Sequence, residues 1–109
     1  MAMLECYETS TVAWRVLARA ADAFMTVDEE DAVAVMRRLA KPAPGEPMIV
    51  AGESGGAGLA GLIRAAAEPE LRDALNLDRN ARILAINTEG ATDPDRYRFL
   101  VGRPPTIAD

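Results

Sequence analysis

A chain of 109 residues with a formal net charge of −5 is long enough for one domain at most. Half of its residues are hydrophobic, which argues against intrinsic disorder, and its acidic balance disfavours a general nucleic-acid binder because phosphates repel it. Histidine is absent and Cys6 is the sole cysteine, so imidazole-based triads, thiolate zinc clusters and internal disulfides are excluded. No apolar run has the length of a membrane helix and no signal peptide is recognisable, so we expect a cytoplasmic protein.

Hydrophobic periodicity organises the first half of the chain. Apolar residues at three- and four-residue spacing predict a helix over about residues 11–23, capped by Ser10 or Thr11. A short strand is expected at 24–27. Asp28 then caps a second helix, whose first turn is acidic as the helix dipole favours. The apolar stripe of this second helix consists of Val33, Met36, Leu39 and Ala40.

A proline-rich loop at 41–47 divides the two halves, because prolines end helices and favour turns. The elements expected after it are a strand at 48–51, a helix at 55–67, a short helix from Pro69, a turn at 76–80, a strand at 83–86 and a last helical turn from Asp93. Residues 103–109 read as a loose tail. The alternation predicts an α/β fold, a small parallel sheet of about three strands flanked by helices.

Two polar turns follow the second and third predicted strands. The carboxyl ends of parallel strands meet at one edge of a sheet, where ligand sites gather. We therefore take both turns as the candidate site, with no complete catalytic set and no metal ligands among them. Two plainer interpretations stay open, in which Ser54 only caps one helix and Asp93 only caps another. The candidate residues are Gly52, Glu53, Ser54, Gly55, Asn87, Thr88, Glu89 and Gly90.

A literal G-x-G-x-x-G runs from Gly56 to Gly61, yet it falls inside the predicted helix and not in the turn after the strand. A dinucleotide fingerprint requires the turn position, so the small residues more simply allow this helix to pack closely on the sheet. Lys41 is the only lysine. It lies at a helix end before prolines, which favours a solvated charge over a Schiff-base nucleophile.

Residues 49–55 read I-V-A-G-E-S-G, and residues 83–94 read I-L-A-I-N-T-E-G-A-T-D-P and are followed by Tyr97-Arg98. These two segments resemble the C-terminal part of diaminopropionate ammonia-lyases. These are pyridoxal-phosphate enzymes of fold type II, related to threonine dehydratase and the tryptophan synthase β chain. The family pairs a G-E-S-G-A turn with an S/N-T-E-G-x-T-D-P turn, and Gly56 replaces the usual alanine here. Residues 4–6 and 12–14 also look like the stretch that precedes these turns.

The resemblance implies the C-terminal portion of a lyase that converts 2,3-diaminopropionate to pyruvate and ammonia by α,β-elimination. Such an enzyme would be a homodimer, and this chain would form part of its large domain. The turn at 87–93 would approach the pyridine nitrogen of the cofactor, through Asn87 or Thr88. The family's cofactor-binding lysine, its phosphate loop and its acid/base residues lie upstream. The isolated chain is therefore expected to be inactive and not to hold pyridoxal phosphate without the missing N-terminal part.

Two alternatives belong to other classes: a non-catalytic module that binds a small anionic metabolite at the two turns, and an interaction fragment. In the fragment interpretation, the chain alone should expose an apolar face that includes Val12, Val16 and Phe24. Large exposed apolar patches tend to find partners, so self-association or marginal stability is expected.

Overall fold

The computed structural model describes residues 4–106, and about half of these residues are helical. The five helices are α1 (Thr11–Ala20), α2 (Glu29–Ala40), α3 (Glu53–Ala67), α4 (Pro69–Ala74) and α5 (Pro94–Val101). Among the described residues, none of these helices is long and apolar enough to cross a membrane.

The predicted parallel sheet is wrong: within residues 4–106 no segment forms a strand. The three apolar runs at 24–27, 48–51 and 83–86 lie between helices, but no ladder of backbone hydrogen bonds joins them. Around the second run, the Ile49 N–H donates to the Leu39 carbonyl, and the Val50 carbonyl accepts from the Asn87 side chain. A strand needs a paired neighbour as well as apolar side chains, and the described part of the chain does not supply one.

Local capping chemistry sets the starts of the helices much as the sequence predicts. The Ser10 hydroxyl accepts from the Ala13 N–H at 3.2 Å, so Ser10 and not Thr11 caps α1. At α2 the Asp28 N–H donates to the Asp31 carboxylate at 3.2 Å, which is half of a capping box. Helix α1 ends at Ala20, three residues earlier than expected, and α3 begins two residues earlier, at Glu53.

The core lies where α2 packs against α3 and α5. Met36, Ala40, Tyr97 and Val101 form a buried cluster between α2 and α5. On the other side of α2, a Cβ added to Gly56 would lie 3.2 Å from the Val35 side chain, so the helices approach closely there. The expected packing of the small residues of α3 on a sheet is therefore wrong, and Gly56 packs against α2 instead.

Residues 4–26 stay largely uncovered. No residue of α1 is buried, and Val12, Val16 and Phe24 are 71%, 61% and 69% exposed. This confirms the exposed apolar face expected for the chain alone. At the other end, the Arg103 guanidinium donates to the Ala40 carbonyl at 2.9 Å, which tethers the start of the predicted loose tail. Residues 107–109 of that tail lie outside the described part of the chain.

Candidate functional site

The two polar turns are in direct contact, although no sheet edge brings them together. The Gly52 N–H donates to the Glu89 carbonyl at 2.8 Å. The Ser54 N–H donates to the Glu89 carboxylate at 3.2 Å. Glu89 therefore covers the N-terminus of α3, where unpaired N–H groups and the helix dipole favour a negative charge.

Two glycines allow this close approach. A Cβ on Gly52 would lie 2.5 Å from the Gly90 carbonyl oxygen and 2.7 Å from the Glu89 carboxylate. A Cβ on Gly55 would overlap the side-chain oxygen of Asn87 and the carbonyl oxygen of Glu89. The G-E-S-G spacing thus has a steric reason, because both glycines face the second turn.

The second turn is fixed on both sides of Thr88. The Asn87 amide nitrogen donates to the Val50 carbonyl at 3.0 Å, and its oxygen accepts from the Glu89 N–H at 3.4 Å. Glu89 is held by the N-terminus of α3. Thr88 lies between these anchors with an exposed side chain, and its hydroxyl has no hydrogen-bond partner in the part of the chain that the structure describes.

Ser54 does not act as the helix cap that the plainer interpretation proposed, since Gly52 is the N-cap of α3. The Ser54 hydroxyl is enclosed by protein and has no partner among residues 4–106. By contrast, the plainer interpretation of Asp93 is correct: its carboxylate accepts from the Arg96 N–H at 2.9 Å and caps α5.

Arg96 is a site neighbour that the sequence analysis missed. Its guanidinium binds the Glu53 carboxylate through two hydrogen bonds, Nε–Oε2 at 2.8 Å and Nη2–Oε1 at 2.9 Å. The hydrogen bonds and the positive charge of Arg96 lower the pKa of Glu53 below its ordinary value of 4.5, although partial burial opposes them. Glu53 is thus a fixed anion joining α3 to α5, not a free acid or base. No linear pattern signals a pair 43 residues apart.

The arrangement disfavours the binding of a small anion at α3. The helix N-terminus already faces the carboxylate of Glu89, and Glu53 adds a second negative group beside it. An incoming anion would have to displace Glu89. Two neutral hydroxyls of the second turn, those of Thr88 and Thr92, are exposed and make no hydrogen bond among residues 4–106. Thr88 is the one that lies between the anchored residues Asn87 and Glu89.

No family model matches the chain, but curated proteins similar to it are known. The diaminopropionate ammonia-lyase of Escherichia coli (strain K12) is 36% identical over 104 residues, and that of Salmonella typhimurium (strain LT2) is 35% identical over 105. The chain is similar to a segment of the diaminopropionate ammonia-lyases.

The structural comparison agrees with the sequence comparison. A crystal structure of the Escherichia coli diaminopropionate ammonia-lyase in complex with D-serine superposes with a TM-score of 0.83, covering 93% of this chain. The resemblance inferred from the two turns is thereby confirmed. The chain spans only 26% of the length of the curated ammonia-lyases that it matches.

Proposed function

We propose that this chain is the C-terminal portion of a cytoplasmic, pyridoxal-phosphate-dependent ammonia-lyase that forms pyruvate and ammonia from 2,3-diaminopropionate. The observation that carries the proposal is the similarity to diaminopropionate ammonia-lyases over 93% of the chain, at 36% identity. The contact between the two polar turns supports a shared site.

Thr88 is better suited than Asn87 to form a hydrogen bond with the pyridine nitrogen of the cofactor. Both the Asn87 amide nitrogen and its oxygen are engaged by backbone groups, whereas the Thr88 hydroxyl is free and exposed. A hydroxyl is neutral, so it can share a hydrogen bond with a pyridine nitrogen without favouring its protonation. Pyridoxal phosphate, when bound, would act as the electron sink of the elimination.

The other candidate residues would act on the site through its shape. Gly52 and Gly55 allow the turns to touch, and the Gly90 carbonyl oxygen lies against Gly52. Glu89 holds the backbone on one side of Thr88. Glu53 keeps α5 against α3 through Arg96. Ser54 is enclosed, so its hydroxyl would meet a ligand only if the turns opened.

The remaining part of the enzyme would supply the lysine that binds the cofactor covalently. Lys41, the only lysine, is exposed and lies at the C-terminal end of α2, whereas the two turns meet at the N-terminus of α3. We therefore propose that the isolated chain is inactive and that its partner is the N-terminal part that the family carries upstream.

The apolar segment 83–86 supports the need for such a partner. Ile83, Leu84 and Ile86 are 50%, 87% and 71% exposed. Among residues 4–106 this segment makes no backbone hydrogen bond, which leaves its N–H and carbonyl groups available for a neighbouring strand. Pairing with the upstream part would cover both the apolar side chains and the backbone.

A chimera tests the proposal directly. The matching segment of the Escherichia coli enzyme is replaced by this chain, and pyruvate release from 2,3-diaminopropionate is measured with added cofactor. We expect turnover by the chimera and none by the isolated chain. A folded chimera that binds no cofactor and has no activity would contradict the proposal.

Thr88→Val in the same chimera tests the role of the hydroxyl. We expect weaker cofactor binding and a shifted cofactor absorption band, with native-like far-UV circular dichroism. Thr92→Val is the matched control, because Thr92 is exposed in the same turn. Equal effects of the two substitutions on cofactor binding would contradict the role proposed for the Thr88 hydroxyl.

A further inference from the structure

The second polar turn is held at three points along its length. At its start, the Asn87 amide nitrogen donates to a backbone carbonyl at 3.0 Å. In its middle, the carbonyl and the carboxylate of Glu89 accept from two N–H groups at the start of α3. At its end, the Asp93 carboxylate accepts from the Arg96 N–H at 2.9 Å. The first two anchors therefore lie on either side of Thr88, and the third begins the helix that follows the turn.

The Arg96 side chain returns from α5 to the same end of α3. It binds the carboxylate of Glu53, the first residue of α3, at 2.8 Å and 2.9 Å. The N–H groups that Glu89 accepts from belong to Gly52 and Ser54, the residues on either side of Glu53. Segment 89–96 is thus a closed loop whose two ends are bound to three consecutive residues of the helix start.

The pair formed by Arg96 and Glu53 is well suited to fix a position. The Glu53 side chain is only 14% exposed, whereas that of Arg96 is 51% exposed. Two parallel N–H···O bonds from one guanidinium set direction as well as distance, and a lysine ammonium has no such fork. A small cavity of about 40 Å³ lies at this junction, and Arg96 is the only basic residue among the described residues that line it, against Glu53, Glu89 and Asp93. Loss of the guanidinium would leave a mostly enclosed carboxylate without its partner.

We propose that Arg96 is a positioning residue of the enzyme, which holds the second turn through Glu53 so that the Thr88 hydroxyl stays in place for the cofactor ring. This inference rests on the proposed function. Among residues 4–106, Arg96 makes no hydrogen bond to Thr88 or to Glu89. Its effect on the turn therefore passes through Glu53 and through the backbone of segment 89–96.

Amide hydrogen exchange in the chain tests whether Arg96 holds the turn. We expect Arg96→Gln to lower the protection factors of the Gly52 and Ser54 amides about fivefold, because their contacts with Glu89 open more often. The Gly102 amide, which donates to the Arg98 carbonyl at 2.9 Å at the other end of α5, should keep its protection.

Arg98→Gln is the matched control for the loss of one positive charge from α5. The Arg98 side chain is exposed and forms no ion pair among residues 4–106. We expect Arg98→Gln to leave the protection of the Gly52 and Ser54 amides unchanged. An equal loss of protection in the Arg96 and Arg98 variants would overturn the inference.

A double-mutant cycle tests whether Arg96 acts through Glu53. Glu53→Gln and Arg96→Gln remove the same contact, so the double variant should lose no more protection than either single variant. Arg96→Lys should lie between the unmodified chain and Arg96→Gln, because it restores the charge but not the two parallel hydrogen bonds. Additive effects of Glu53→Gln and Arg96→Gln would show that the two residues do not act as a pair and would overturn the inference.

The chimera with the Escherichia coli enzyme connects the pair to the cofactor. We expect Arg96→Gln to shift the cofactor absorption band in the same direction as Thr88→Val and to lower turnover, with unchanged far-UV circular dichroism. An unmodified chimera that binds no cofactor would contradict the proposed function, and amide exchange would still decide whether Arg96 holds the turn. An active chimera in which Arg96→Gln leaves the absorption band unshifted would overturn this inference alone.

Discussion

Replacing Gly55 by alanine should loosen the contact between the two polar turns. The new Cβ would overlap the Asn87 side-chain oxygen and the Glu89 carbonyl oxygen. Neither oxygen can move freely, because the Asn87 amide is tied to Val50 and the Glu89 carbonyl accepts from Gly52 at 2.8 Å. Relief of the overlap therefore weakens at least one of these hydrogen bonds.

The magnitude follows from two opposing effects. Overpacking of a close contact costs about 1–3 kcal/mol, and each weakened hydrogen bond contributes about 0.5–1.5 kcal/mol of that range. Alanine gains up to about 1 kcal/mol in a helix interior, but Gly55 is only the third residue of α3, so less is recovered. We expect Gly55→Ala to lower the free energy of unfolding by about 1–2 kcal/mol.

Gly58→Ala is the matched control in the same helix. No atom lies within 4 Å of its added Cβ, so the full gain of about 1 kcal/mol should appear. Thermal unfolding followed by circular dichroism would show the melting temperature rising for Gly58→Ala and falling for Gly55→Ala, by about 4–8 °C per kcal/mol. Exchange of the Gly52 amide proton should be faster only in Gly55→Ala. Stabilisation by both substitutions would refute the steric account of the turn contact.

Three further predictions concern single contacts. Burial raises the pKa of Tyr97 above its ordinary value of 10.0, so the stability that its neutral hydroxyl contributes is present below that pH and lost as pH rises through the folded value. Tyr97→Phe should flatten this alkaline loss of stability in thermal melts at increasing pH. Because the pKa of Glu53 is lowered, its contribution is present above 4.5 and lost as pH falls through the folded value, and Glu53→Gln should flatten the acid side of the stability profile. Asp93→Ala should cost about 0.5–2 kcal/mol in urea unfolding by removing the cap of α5, and an unchanged midpoint would contradict that role.

The extent of sequence prediction differs between helices and strands. Asp28 was predicted as a cap, and capping by Ser10 and by Asp93 was among the open interpretations, because each of these contacts spans only three positions along the chain. The helices that these caps begin were predicted at nearly the correct positions, with ends shifted by a few residues. The apolar runs at 48–51 and 83–86 were equally clear, but their assignment as strands was wrong, because strand pairing depends on groups that a single run does not contain.

The candidate site was likewise predicted in part from the sequence. Glycines and polar groups at the two turns pointed to the right segments and to the resemblance with ammonia-lyases. The sequence did not show which polar groups are engaged: Asn87 is bound by Val50 and Glu53 by Arg96, whereas Thr88 between the anchored residues is exposed and makes no hydrogen bond among residues 4–106.

The sequence by itself determined the helices, the cap at Asp28 and the two glycine-bearing turns, because these depend on local backbone preferences and short-range hydrogen bonds. Only the tertiary structure decided that Glu89 covers α3, that Arg96 fixes Glu53, and that α1 stays bare. The contact of Glu89 with α3 joins residues 35 positions apart, and the contact of Arg96 with Glu53 joins residues 43 positions apart. The bare face of α1 is a surface that no other described residue covers. Such contacts depend on how the helices pack in three dimensions, which local preferences do not specify.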